Sequence, residues 1–116
     1  MLSRTYSLKG DENFKRVKTK GKLYQSKNFG VRVLKRNDDE LSKFGFVVST
    51  RLSKLAVNRN RVARVIKQSV RGNLFRVPKN YDMVFLAKKG IMDKLTVEIM
   101  REVDDFFKKN FASKKK

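Results

Sequence analysis

The residues best suited to chemistry lie between Ser49 and Arg71. The run includes Arg51, Leu52, Ser53, Lys54, Leu55, Ala56, Val57, Asn58, Arg59, Asn60, Arg61, Val62, Ala63, Arg64, Val65, Ile66 and Lys67. A guanidinium offers parallel N–H donors in a fixed fork that matches two phosphate oxygens at once. On a helix whose apolar side is buried, such forks recur at regular spacing, and the helix N-terminus adds free N–H groups. That arrangement holds a nucleic-acid backbone without reading base sequence.

Other chemistries are excluded by residue type. The 116-residue chain has no His and no Cys, so zinc sites, thiol nucleophiles, disulfides and His-based relays cannot be built. A metal-dependent nuclease needs carboxylates converging on two cations about 4 Å apart. Asp104 and Asp105 are adjacent and point to different sides of a helix, and Asp38-Asp39-Glu40 reads as a solubilising turn. Independent catalysis is therefore not expected.

The elements that position the basic run follow from periodicity. Val62, Val65, Ile66 and Val70 make the buried stripe of a helix opened by Asn58 as cap. Asn60, Arg64, Lys67 and Arg71 fall on the opposite side, with Arg61 on the flank. Before it, Asp11–Lys20 reads as a short helix with Phe14 and Val17 on its apolar face and Gly21 as its stop. Asn28–Lys35 alternates like a strand, with Phe29, Val31 and Val33 inward. Phe44–Thr50 reads as a second strand, central because both its faces carry apolar residues. Tyr81–Ala87 reads as a buried strand, and Leu95, Ile99, Val103, Phe106 and Phe107 form the stripe of a last helix. The fold class is α+β: one sheet with helices packed on it. Residues 1–110 form a single domain, and 111–116 form a basic, frayed tail.

Charge points to the partner. Lys and Arg number 30 against 11 acids, a net charge of +19, and hydrophobic residues at 40% argue for a folded core rather than disorder. Residues 13–37 and 41–81 contain no acid, so the first two thirds of the chain carry the field. The longest uninterrupted apolar run, Met83–Ala87, is far below the roughly 20 residues of a membrane span, and no signal peptide is visible. A cytoplasmic nucleic-acid binder is the expectation, with no membrane partner. A DNA-reading helix-turn-helix is disfavoured because strands flank the basic helix.

Ala56-Val57, then Arg59-Asn60-Arg61 and further basic residues after a strand ending in Val48-Ser49, resembles the bacterial ribonuclease P protein subunit. Phe14, Val17 and Gly21 ahead of Asn28-Phe29, the Tyr81–Lys89 segment and the amphipathic last helix match that family in place and order, over about residues 4 to 110. The resemblance implies an accessory subunit of the ribonucleoprotein endonuclease that removes the 5′ leader from precursor tRNA. The RNA subunit would hold the catalytic magnesium ions, and the protein would contribute no catalytic residue, no metal site and no stably bound cofactor. Its implied partners are that catalytic RNA and precursor tRNA, with no DNA. Arg59, Asn60, Arg61, Arg64 and Lys67 would face the catalytic RNA, with Arg71 on the same surface and Arg51 and Lys54 extending its rim. Phe14, Lys18 and Arg32 would line a cleft for the single-stranded leader. The family fold also implies a further strand near Lys22–Ser26, a sheet of mostly four strands in the order αβββαβα, and a left-handed βαβ crossover. General rules favour the opposite hand.

The chain departs from the family at Ala63, where a basic residue is usual, and at Lys67, which keeps charge but loses the bidentate fork. Ser53-Lys54-Leu55 stands where a Gly is often found, and Lys18 and Arg32 replace aromatics, so leader binding would lean on phosphate attraction. Blander roles remain open alongside. Phe14 fits a core position, Asn60 a cap, Arg59 and Arg61 loop braces, and Arg64 and Lys67 a solvated face. A ribosomal-type RNA binder with no processing role is the alternative function.

Overall fold

Helix α1 (Asp11–Lys20) opens with two carboxylates in its first turn, where the helix dipole favours them, and ends at Gly21. The Gly21 N–H donates to the Val17 carbonyl at 2.8 Å, and a Cβ at Gly21 would stand 2.5 Å from that same oxygen. Close approach, not an unusual φ, is what requires glycine there. The computed structural model describes residues 4–111. After α1 come β1 (Lys22–Gln25), β2 (Phe29–Lys35), β3 (Lys43–Val47), α2 (Ala56–Gly72), β4 (Tyr81–Ala87) and α3 (Thr96–Phe111). Short 3-10 turns occupy Arg4–Tyr6, Leu74–Arg76 and Lys89–Asp93. The α+β class and the αβββαβα order are those expected.

The four strands form one sheet in the order β1-β2-β4-β3, with β1, β2 and β4 antiparallel neighbours and β3 parallel to β4. Period-two alternation gives the sheet two working faces. Phe29, Val31, Val33, Phe44, Met83 and Phe85 pack with Val62, Val65, Ile66 and Val70 of α2 and Ile99, Val103, Phe106 and Phe107 of α3. Phe85 is a hub, with ring centroids of Phe29, Phe46, Phe106 and Phe107 all within 6.0 Å of its own. On the other face Val84 packs with Leu8 and Val17, and Phe14, Leu34 and Leu86 join them half-buried.

Four expectations change. The strand beginning near Phe44 is an edge strand and stops at Val47. It is apolar on both faces because Phe44 joins the α2–α3 core, while Gly45 on the opposite face lies under the Phe14 ring. Its outer border is partly covered by the N-terminal segment, whose Leu8 N–H donates to the Phe44 carbonyl at 2.9 Å and whose Ser7 forms a bridge with Phe44. Asn58 is not the cap of α2. The helix starts two residues earlier, and Ser53 Oγ accepts from the Leu55 N–H at 3.2 Å and from Asn58 Nδ2 at 3.4 Å. Leu95 is 66% exposed, because it precedes α3, and the buried apolar residue of that region is Ile91. The Leu95 N–H is satisfied by Glu98 Oε1 at 2.9 Å, one half of a capping box. Finally, α3 runs through Phe111, whose ring meets Tyr81 edge-on at 5.8 Å, so the domain extends one residue past 110. The rest of the expected tail, residues 112–116, lies outside the described residues.

Candidate nucleic-acid interface

Helix α2 turns Val62, Val65, Ile66 and Val70 inward and leaves Asn60, Arg64 and Arg71 exposed, as its periodicity requires. The two arginines beside Asn60 are tied down. Arg59 Nη1 donates to the Ser53 carbonyl at 2.7 Å, bracing the loop that leads into the helix. Arg61 Nη2 donates to the Lys94 carbonyl at 3.0 Å and its Nη1 to Thr96 Oγ1 at 3.4 Å, joining α2 to the start of α3. Lys67 is half-buried, with Nζ 5.7 Å from the centre of the Phe46 ring. Among the described residues, the side chains of Asn60, Arg64 and Arg71 make no hydrogen bond or ion pair within the protein. Arg51 and Lys54 are exposed just ahead of the helix, in a turn closed by Leu52 N–H to the Ser49 carbonyl at 3.0 Å.

A recess of about 370 Å³ opens between α1, the outer edge of β3 with its covering residues Ser7 and Leu8, and α2. Phe14, Phe46 and Val48 give it an apolar floor, and Arg59, Asn60 and Lys67 give it a polar rim. Phe14 reaches it because Gly45 has no side chain, since a Cβ there would stand 2.5 Å from the ring. Phe14 is thus half-buried, part packing residue and part accessible ring. Lys18 and Arg32 do not line this recess. Lys18 is exposed one turn beyond Phe14, and Arg32 is half-buried, its Nη1 3.5 Å from the Gly21 carbonyl at the end of α1. Arg32 shares its sheet face with Leu23, Leu86 and Val47, and α1 leaves part of that face uncovered, with Leu23 36% and Val47 37% exposed. The expected cleft residues therefore occupy two adjoining places. Phe14 sits with the helix residues Arg59, Asn60 and Lys67, whereas Arg32 sits on the open sheet face beside α1.

Three carboxylates are engaged elsewhere. Asp82, buried at the start of β4, pairs with Arg16 at 3.2 Å and with Arg36. The hydrogen bond from Arg36 holds Asp38 below the usual carboxylate range, helped by the Glu40 N–H, and Arg36 is raised in turn, first by Asp38. Burial pushes the Glu102 carboxyl up, but Ser26, the Asn28 N–H, the Asn28 amide and nearby Lys27 together outweigh it and hold the group below its ordinary value. Among the described residues no three carboxylates gather around one point. The arrangement can hold phosphates and accommodate a flat ring.

Sequence reasoning missed Gly45 and Phe46 as the floor of the recess, though a Gly inside a strand is itself a signal of close approach. It also missed Glu102 and Asp82 as ties between distant segments, for which one sequence carries no local signal.

The family model for ribonuclease P matches residues 2–110. The ribonuclease P protein component of Clostridioides difficile strain 630 is 33% identical over 113 residues, covering 97% of this chain and 97% of that protein. The same component of Clostridium kluyveri is 36% identical over 106 residues, covering 90% and 93%. The structure of the Staphylococcus aureus RNase P protein superposes with a TM-score of 0.82 at 23% identity, covering 90% of this chain and 94% of that one, so the folds agree.

Proposed function

Because the chain belongs to the ribonuclease P protein family, we propose that it is the accessory subunit of a tRNA 5′-processing ribonucleoprotein. In this reading it binds the catalytic RNA and the 5′ leader of precursor tRNA in the cytoplasm. The RNA performs the endonucleolytic step with its own magnesium ions, and the protein alone is inactive and holds no cofactor. The observation that carries the reading is the contrast along α2. Arg59 and Arg61 each give part of the guanidinium to bracing the helix and keep further N–H donors, while Asn60, Arg64 and Arg71 make no hydrogen bond or ion pair in the protein.

In mechanism, Arg64, Arg71, Arg51 and Lys54 offset phosphate repulsion in the catalytic RNA, so less magnesium is needed to keep it folded. Phe14, Lys18 and Arg32 contact the leader, which the product no longer carries, so substrate is held and product leaves. The recess joins the two surfaces, because Phe14 lines it together with Asn60 and Lys67.

The test is 5′ cleavage of a precursor tRNA at low magnesium by the protein, by a bacterial ribonuclease P RNA, and by both. Cleavage only with both present is the expected outcome. Cleavage by the protein alone overturns the accessory role, and no enhancement by the protein leaves a ribosomal-type RNA binder as the better account.

A further inference from the structure

Phe75 is 77% exposed, more than any other large apolar side chain among the described residues. It lies in the 3-10 turn that follows α2, four residues beyond Arg71. Its surroundings are ordered. The Arg76 guanidinium carbon stands 4.6 Å from the centre of the Phe75 ring, and Arg76 Nε donates to Asn73 Oδ1 at 2.9 Å. Asn73 is buried and donates through Nδ2 to the Ser69 carbonyl and to Asp104 Oδ1, both at 2.7 Å. The cation over the ring is therefore tethered through a buried amide to α2 and α3, which lowers the entropy lost when a ligand settles on the ring.

Arg71 and Lys79, both exposed, flank this turn, and no acid occurs between residues 41 and 81. Apolar protein partners favour broad contiguous apolar patches. Here a single ring stands with the Arg76 cation over it, and Arg71 and Lys79 each lie four residues from it along the chain. That pairing suits a strand with unstacked bases, whose π-faces stack on an aromatic or a guanidinium plane while its phosphates meet Lys and Arg.

We propose that Phe75 and Arg76 form a stacking platform for one unpaired RNA base, with Arg71 and Lys79 taking the adjoining phosphates. The inference rests on the RNA-binding reading above and deepens it, adding a base contact beyond the phosphate-facing helix. The unpaired nucleotide belongs either to the catalytic RNA or to the precursor.

The chain has no Trp, so Phe75→Trp introduces a single indole reporter at the platform. Its fluorescence is titrated with a single-stranded 12-mer oligoadenylate and with an abasic ribose-phosphate 12-mer. Quenching by the first and not by the second is expected. Phe75→Leu removes the ring but no charge, so it lowers oligoadenylate affinity about tenfold at unchanged salt slope. Arg71→Ala, by contrast, reduces the slope by about one. Repeating Phe75→Leu on a bacterial ribonuclease P RNA and on a precursor tRNA identifies the source of the base by which of the two loses about tenfold. Equal quenching by both 12-mers, or Phe75→Leu binding every RNA within twofold of wild type, overturns the platform while leaving the RNA-binding reading intact. A wild-type chain that binds none of these RNAs overturns both. A wild-type dimer in sedimentation that Phe75→Leu dissociates overturns the platform in favour of a protein contact.

Discussion

Neighbouring arginines in one motif have different surroundings. Arg64 makes no hydrogen bond or ion pair within the protein, so Arg64→Ala is expected to leave the melting temperature unchanged and to lower the salt slope of catalytic-RNA binding by about one. Arg61 holds the Lys94 carbonyl, so Arg61→Ala costs about 1–2 kcal/mol of stability, near what a hydrogen bond to a charged group contributes. Thermal melts and RNA titrations of the two variants separate the roles, and identical profiles would show that the helix does not divide its labour. Gly45 sets the position of a ring. In Gly45→Ala the new methyl must displace Phe14, the end of a side chain and not backbone, so the fold tolerates it. Precursor affinity is expected to fall about fivefold, as for the loss of a weak base–aromatic stack. Affinity for mature tRNA, which lacks the leader, is the control that stays unchanged.

Ties between elements are where the sequence says least. Glu102 of α3 fastens the turn between β1 and β2, accepting from Ser26 Oγ, the Asn28 N–H at 2.8 Å and Asn28 Nδ2 at 2.8 Å. Because its folded pKa lies below the ordinary 4.5, its contribution is fully present above that value and is lost as pH falls through the lower folded one. Glu102→Gln is expected to cost about 1 kcal/mol at pH 7, discounted for solvent screening, and to flatten the stability profile below about pH 4.5. Urea melts across pH 3–7 check both. Periodicity alone marked out α1, β2, β4 and the stripe of α2, because each buries one face or both and the pattern is local. It misplaced β3, because two apolar faces do not distinguish a central strand from an edge strand roofed by Phe14 and floored by α2. It also placed Leu95 inside the helix it only precedes. Of the site, the exposed stripe was legible in the spacing of Asn60, Arg64 and Arg71. The meeting of Phe14 with Asn60 and Lys67 was not, because it depends on how α1 crosses the sheet.

At the scale of the whole molecule, net charge and local charge make different demands. The principal extents are 39, 32 and 24 Å, several times the roughly 8 Å screening length at physiological salt, so charges on opposite sides act separately. RNA affinity should follow the phosphates met on one face, not the net +19. With about six phosphates engaged, the log–log salt slope is expected near −4 to −5, and a flat response in a filter-binding titration would remove the electrostatic mechanism. The sheet order β1-β2-β4-β3 carries one more consequence, in the order of synthesis. The inner strand β4 is the last to leave the ribosome. Until Tyr81–Ala87 has been made, β3 has no strand to pair with, Arg16 and Arg36 lack Asp82, and the apolar side of α2 has only part of its floor. The basic helix α2 is thus translated before the sheet that shapes it exists, and a fragment ending after α2 would carry the charge of the candidate interface without its geometry.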